Sequence, residues 1–371
     1  MSPPLPPAIA ALLDSGAVDT LLRTAGRDAV DPSTARVLSG RNNNFSVYTR
    51  AGDPLFVKQF ELPSDAAADT ATATNLAQTL AFERYREAHH QTLAGLGAPE
   101  LVAADEAAAL VIYTLIPDVL SLAEVADTGD LTARHLHDVG AALGALHAGP
   151  VTEQVPTVRH RLPPSGAFVA INQLSWAMAS AAELEAWALL QSDQGLIDGV
   201  TELRRREDTG DNATPIHGDL RLDQVLVSPT AVHVTDFEDF RVGDPARDLG
   251  SLLGELAYRA ILGIIKDTDA SFTLDVEFTH EEIVERGARE LDTTIPLLTA
   301  LWAGYRTVPG RADPTLGERS VAWLGWHMFD RLLASSKDRN KLLSVHRAAA
   351  GIGRAVLLTP ARYVETFGLV G

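Results

Sequence analysis

Cysteine is missing from all 371 positions, so disulfides, thiol nucleophiles and cysteine-ligated metals are excluded at once. Long apolar runs are missing too: no stretch reaches the length needed to span a bilayer. The opening Met1-Ser2-Pro3-Pro4-Leu5-Pro6-Pro7-Ala8 lacks the basic-then-apolar order of a secretory signal, and a cytoplasmic protein is expected. Positive charge is scarce: 31 Lys and Arg stand against 49 Asp and Glu, a net charge of −18. That balance disfavours nucleic acid and anionic membrane as partners. It suits a cationic substrate or a basic partner segment, although many proteins are acidic for solubility alone. No internal repeat and no long low-complexity tail interrupts the chain. The remainder, 46% hydrophobic and 22% charged, is ordinary for a folded protein with a sizeable core. The length favours one large two-lobed domain or two domains.

The apolar pattern changes character along the chain. Residues 5 to 25 read as a short helix behind a Pro-rich lead. Ala35 to Phe60 reads as strand, tip, strand and strand, with turn signals at Gly40-Arg41-Asn42-Asn43-Asn44 and Ala51-Gly52-Asp53-Pro54. Ala66 to Leu96 is Ala-rich and helical, and Pro99 to Ala104 and Ala108 to Ile116 read as two more strands. Thereafter helical spacing dominates: Thr132 to His147, Phe168 to Leu190, Ile197 to Arg206, Asp248 to Lys266, a helix opening at a Thr279–Glu282 capping box and running to about Glu290, Ser320 to Ser335, and Leu342 to Leu358. The expected fold class is α+β and bilobal. A small β-rich lobe (residues 1–117) precedes a hinge near Thr114–Asp118 and a larger, mostly helical lobe (residues 118–371).

Two acids dominate the chemistry. Asp219 follows the apolar run ending at Ile216-His217-Gly218, and Asp236 ends the run Val232-His233-Val234-Thr235, seventeen positions later. A side-chain amide, Gln224, lies five residues after Asp219. Phosphoryl transfer from ATP needs such a set: one carboxylate to orient and deprotonate a hydroxyl, and an amide oxygen and second carboxylate to hold Mg²⁺ on the phosphates. The D-x-x-x-x-N spacing followed by Asp-Phe is that of the kinase catalytic and metal loops. Asp219 is therefore the expected base, with Asp236 and Gln224 as metal ligands. Glu238 is a third acid that either coordinates metal or is solvated in the loop. Lys58, in mid-strand between Val57 and Gln59, is expected to bind the α- and β-phosphates, although edge-strand lysines also serve against aggregation. A helix acid should steady it. Glu83 and Glu87 lie one turn apart on the same face, and Glu83 is favoured by its distance before Pro99. Asn42, Asn43 and Asn44 at the tip would cover the phosphates, since Asn tolerates left-handed backbone and supplies donors. His217 should brace the loop by hydrogen bonds, and Asp248 should either cap the following helix or tie it to the catalytic loop.

With these residues in view, the chain resembles the aminoglycoside phosphotransferase and choline-kinase-like family. The matching pieces are Phe56-Val57-Lys58, Gly97-Ala98-Pro99-Glu100-Leu101, Leu110-Val111-Ile112-Tyr113, Leu143-Gly144-Ala145-Leu146-His147, His217-Gly218-Asp219-Leu220, Asp236-Phe237-Glu238 and Gly243-Asp244-Pro245-Ala246-Arg247-Asp248-Leu249. The resemblance covers about residues 35 to 260. It implies a protein-kinase-like fold, Asp219 as base, Gln224 and Asp236 on Mg²⁺, Lys58 on phosphate, and adenine against the backbone near Tyr113–Leu115. Two positions depart from the family: Gln stands at 224 where Asn is usual, as in maltokinase-like members, and Arg221-Leu222-Asp223 replaces His-Pro-Gly. The Gly40–Asn44 tip and the segment Gly353 to Leu369 are similar to the kinase subunits that phosphorylate Ser/Thr of precursor peptides in class V lanthipeptide and thioamitide pathways, alongside a separate lyase.

Three functions stay open on this footing. The first is a kinase for Ser/Thr of a ribosomally made peptide, with a lyase partner. The second is a small-molecule kinase for an aminoglycoside, amino sugar or maltose-like sugar. The third is a pseudokinase scaffold, which intact Lys58, Asp219 and Asp236 argue against. ATP and GTP are not distinguished.

Overall fold

The computed structural model describes residues 5–38, 40, 42–60, 66–158, 162–163, 165–209, 212–265, 280–309 and 313–370. Arg41 of the tip, and Thr279 of the expected capping box, lie outside them.

The N-terminal half carries a five-stranded antiparallel sheet: β1 (Val30–Val37), β2 (Asn43–Thr49), β3 (Pro54–Gln59), β4 (Leu101–Asp105) and β5 (Leu110–Thr114), ordered β1-β2-β3-β5-β4. Pro32 sits in β1, at the sheet edge, where its missing N–H interrupts no ladder. Residues 5 to 25 form two helices, α1 (Pro7–Asp14) and α2 (Ala17–Thr24), not one. The break is Gly16 at φ 68°, a left-handed residue that ends the first helix and caps the second.

Strand alternation decides where Lys58 points. Phe45, Val47, Leu55, Val57, Leu110 and Ile112 bury one face of the sheet against α1 and α2. Phe60, Val111 and Tyr113 turn to the opposite face, against Leu76 and Leu80 of α3 (Ala66–Ala88). Lys58, offset by one from Val57, therefore lies on the α3 side, where only 7% of it is exposed. The helix expected over residues 66–96 stops at Ala88, and turns follow.

The C-terminal half opens with β6 (Leu120–Ser121), α4 (Leu122–Thr128) and α5 (Ala133–His147). Thr132 caps α5 as a reciprocal pair with His135. The single helix expected over residues 168–190 is instead α6 (Gln173–Met178) and α7 (Ala181–Gln191). Two side chains account for the split: Asn172 accepts from the Ser175 amide, and Ser180 forms a capping box with Glu183, so each begins its own helix. Next come α8 (Gln194–Thr209), β7 (Thr214–Ile216), β8 (Val225–Val227), β9 (Val232–Val234) and β10 (Arg241–Gly243), and then α9 (Ala246–Ile265), α10 (His280–Arg306), α11 (Leu316–Ser336) and α12 (Ser344–Leu358). The strands pair as β10-β7 and β6-β8-β9. Helix α10 runs well beyond the expected end at Glu290, because its apolar side continues through Leu298, Leu301 and Trp302 into the main core. Gly140 lets α5 approach α10 closely: a Cβ there would lie 2.0 Å from the Leu301 carbonyl oxygen.

An aromatic stack joins α3 to the segment after β9. Phe82, 1% exposed, lies parallel to Phe237 with centroids 3.4 Å apart, and the edge of Phe240 packs on it at 5.3 Å. Phe82→Ala should lower unfolding free energy by about 3–5 kcal/mol, as for other buried large-to-small aromatic changes, and a urea titration reads this directly. An unchanged midpoint would mean that the stack contributes nothing.

Candidate active site

Strand β7 delivers His217, Gly218 and Asp219 to the boundary between the two halves. Gly218 has φ 89°, and a Cβ there would fall 2.1 Å from Arg241 Nη1 and 2.5 Å from the Asp239 carbonyl oxygen, so only glycine fits. Asp248, in the first turn of α9, takes the loop's amides: its carboxylate accepts from the backbone N–H of His217 (2.7 Å) and of Gly218 (2.8 Å). His147 Nε2 lies 3.1 Å from the same carboxylate, and the Tyr305 hydroxyl lies 3.2 Å from His147 Nδ1. Arg247 Nε donates to the Gly218 carbonyl at 2.7 Å. Of the two roles open for Asp248, the tie to the catalytic loop is the one formed. His217 braces that loop through Nε2, 2.8 Å from the Thr235 carbonyl oxygen, with its ring against Phe237.

Burial opposes ionisation of Asp248, but His147, His217 and the Gly218 amide outweigh it and hold its pKa down at about 2. Because the folded value lies below the unfolded one, the stabilisation is complete above the unfolded carboxyl range and is lost as pH falls through about 2. At neutral pH it amounts to about 2 kcal/mol. Asp248→Asn should flatten the acid limb of stability between about pH 4 and 2, measured by urea unfolding across pH. An unaltered limb would place the acid sensitivity elsewhere.

Asp219 has a half-exposed side chain. Arg221 Nη1 donates to its Oδ2 at 2.7 Å, while Arg221 Nε donates to Asp223 at 3.0 Å. Burial alone would lower the Arg221 pKa, but Asp219, Asp223 and Asp236 raise it, so this guanidinium stays charged among three acids.

Asp236 follows β9 at φ 67°, a left-handed conformation that Asp tolerates better than most side chains. Lys58 Nζ donates to Asp236 Oδ1 at 2.5 Å and to Glu238 Oε2 at 2.9 Å, bridging the sheet to the helical half. Burial would lower the Lys58 pKa, but the two carboxylates overcome it and raise it; the Asp236 pKa is lowered by Lys58 against its own burial.

The expected site residues thus divide. Lys58, Asp236, Glu238 and Gln224 meet, and Glu238 is buried, not solvated. Gln224 is turned the other way from the expectation: its Nε2 donates to Asp236 Oδ2 at 3.3 Å, and its Oε1 accepts from the Arg221 amide at 2.9 Å. Glu83 does not pair with Lys58. Its carboxylate accepts from Arg86, one turn along α3, at 2.7 Å, and from the Tyr113 hydroxyl. The (i, i+3) partner is fixed on the same helix, whereas Lys58 already has two acids of its own. Glu87 is exposed. Burial raises the pKa of Glu83, and burial together with Glu83 raises that of Tyr113. Asn43 and Asn44 belong to β2, opposite Gln59 and Lys58, which leaves Asn42 as the described asparagine in the tip. The Leu115 amide donates to the Pro54 carbonyl at 3.0 Å, so that N–H is already engaged. Arg221 and Glu255, whose carboxylate accepts from the Leu222 amide at 2.8 Å, join the site without having been expected there. The sequence signal for Glu255 is its place seven residues, two helical turns, after Asp248.

Among the described residues no group of three His, Asp or Glu side chains is gathered as a preformed metal cluster. Two carboxylates nevertheless converge on one cationic nitrogen, with a side-chain amide beside them. That oxygen-rich, anionic set fits a hard divalent cation.

The chain matches the phosphotransferase enzyme family (APH) over residues 33–273. No curated protein matches it by sequence. Among solved structures it is similar to the amicoumacin kinase hAmiN in complex with AMP-PNP, Ca²⁺ and Ami, at 13% identity and TM-score 0.52, over 95% of this chain and 93% of that one. It is also similar to a choline/ethanolamine kinase family protein from Mesorhizobium loti, at 17% identity and TM-score 0.49, over 98% and 99% of the two chains. A third is macrolide 2'-phosphotransferase MphH from Brachybacterium faecium, at 17% identity and TM-score 0.43, over 92% and 97%. The likeness to the amicoumacin kinase, at TM-score 0.52, establishes the fold alone: a β-sheet N-terminal half and a helical C-terminal half in the kinase arrangement. No helix among the described residues is long and apolar enough to cross a membrane.

Proposed function

The chain belongs to the phosphotransferase enzyme family and is a kinase, and on that footing we propose that it transfers the γ-phosphoryl group of ATP, bound with Mg²⁺ between its two halves, to a hydroxyl held by Asp219. One observation carries the reading: Lys58 from the sheet and Asp236 and Glu238 from the helical half meet at hydrogen-bond distance across the cleft. Asp236 and Glu238 would hold the metal, and Gln224 would join them once its amide presents oxygen. When bound, the metal supplies positive charge that neutralises the phosphate oxygens. Lys58, released from the acid pair, turns to the phosphates. Arg221 lies beside Asp219 and within the field of Asp236, where it can shift toward charge growing on the transferred group. Asp219 orients the acceptor hydroxyl and takes its proton.

For the acceptor, the charges beside Asp219 are mixed. Arg221 and Arg259 stand with Asp223, Glu255 and Asp127, a wall suited to a neutral or zwitterionic group more than to a polycation. A peptide Ser/Thr acceptor, with a lyase partner subunit, is supported by one surface feature. Val169, Leu174, Trp176 and Met178 are 60–84% exposed in and beside α6, and residues 162–182 carry no charged side chain. A long chain or a second subunit has use for such a surface; a compact sugar has none.

ADP release measured against Ser/Thr peptides, aminoglycosides, amino sugars and maltose, with Mg²⁺ and then EDTA, tests the reading. Metal-dependent turnover with at least one hydroxyl acceptor is expected, and mass spectrometry of the product identifies the class. Absence of both nucleotide binding and ADP release would leave only a scaffold.

A further inference from the structure

We propose that Glu255 is a positioning residue for phosphoryl transfer: it holds the far flank of the catalytic loop as Asp248 holds the near one, so that α9 clamps Asp219 from both sides. The inference rests on the reading of Asp219 as the base.

The clamp follows from helix geometry. Asp248 and Glu255 are seven residues apart, which returns both carboxylates to one face of α9, separated along its axis by about 10 Å. The loop crosses that face. Asp248 accepts from the amides of His217 and Gly218, immediately before the base, and Glu255 accepts from the amide of Leu222, three residues after it, at 2.8 Å. Leu220, between these anchors, and Leu222, at the second, are fully buried, which leaves Asp219 and Arg221 to face the cleft. Arg221 then closes the loop internally, binding Asp219 and Asp223 through its side chain and Gln224 through its backbone amide. Releasing the Leu222 amide would free the peptide plane that sets Arg221, and with it the direction of the Asp219 carboxylate.

Glu255 is itself held for this task. Only 14% of its side chain is exposed, and Arg259, one turn along α9, lies 3.8 Å from its other oxygen. Arg259 is in turn fixed by Asp127 of α4 at 2.7 Å. The charges facing Glu255 are Arg259 on its own helix, Arg331 on α11 and Asp223 on the loop. A carboxylate this enclosed, with a single backbone amide as its hydrogen-bond donor, is better placed to locate a loop than to meet solvent.

The test separates positioning from folding and from the function itself. Wild type, Glu255→Ala and Glu255→Gln are compared for ADP release under saturating ATP, for KM of ATP, and for hydrogen exchange of the peptide containing Leu222. A misplaced base should lower turnover in Glu255→Ala by about 10²-fold, with KM for ATP unmoved and faster exchange confined to the loop. Glu255→Gln keeps an oxygen for the Leu222 amide and should restore most of both losses. Turnover in Glu255→Ala equal to wild type overturns the role. So does a Glu255→Gln variant as slow as Glu255→Ala with Leu222 still protected. A wild-type protein that neither binds nucleotide nor releases ADP would instead sink the proposed function, and this role with it.

Discussion

Asp219→Ala is expected to lower phosphoryl transfer by about 10²–10⁴-fold, the range for removing a positioned general base, with nucleotide affinity unchanged. Its carboxylate is half-exposed toward the cleft and is touched by Arg221. The groups proposed to hold nucleotide and metal, Lys58, Asp236 and Glu238, lie on other segments. The variant removes no backbone anchor, because Asp248 grips the amides of His217 and Gly218 and not the side chain of Asp219. Asp219→Asn is the sharper probe: it keeps the volume and the contact with solvent but cannot take a proton. Single-turnover phosphorylation together with an ATP titration measures both halves of the expectation. Turnover within a few-fold of wild type in either variant would move the base elsewhere, and weakened ATP binding would make Asp219 part of the nucleotide site.

Much of this site is legible in the order of residues alone. Asp219, Gln224 and Asp236 stand out as candidates because transfer chemistry asks for a base, an amide and an acid in that order and spacing, and because each acid abuts a run of strand-forming residues. Lys58 stands out from its place among Phe56, Val57 and Phe60. Partner choice does not. Helical periodicity puts Glu83 and Glu87 on one face of α3, and burial separates them in the folded chain. Periodicity cannot weigh Arg86, three residues from Glu83, against Lys58 across the cleft, and the local pair prevails. The orientation of Gln224 is equally hidden, since its oxygen is taken by the amide of Arg221, a residue set by the loop's closure.

The fold shows the same division. The strands, their order of appearance and the helical half follow from alternation and 3.6-residue spacing. The breaks are written in capping residues, Gly16, Asn172 and Ser180, that apolar periodicity passes over. Glu255 belongs to this group: two helical turns from Asp248, it carries no motif signal, and only the path of the catalytic loop across α9 gives it work.

The second large effect concerns Asp236, where charge and backbone must be changed separately. Asp236→Asn should abolish the Mg²⁺-dependent part of ATP affinity, because a carboxylate is replaced by a weaker amide ligand and the bridge to Lys58 loses its ionic half. Asn tolerates left-handed backbone about as well as Asp, so at φ 67° the fold should be little affected. Asp236→Ala adds a second loss. A side chain without local hydrogen-bonding ability resists that conformation by about 1–2 kcal/mol, and Lys58 is left in a buried position with Glu238 alone. Asp236→Gly relieves the backbone and not the charge. ATP titrations in Mg²⁺ and in EDTA, beside urea unfolding, should therefore order the variants differently: all three fail in metal-dependent binding, whereas Ala is the least stable and Asn the most. Retention of Mg²⁺-dependent ATP affinity in Asp236→Asn would remove this carboxylate from the metal site, and equal stability of the Ala and Gly variants would show that its left-handed backbone carries no strain.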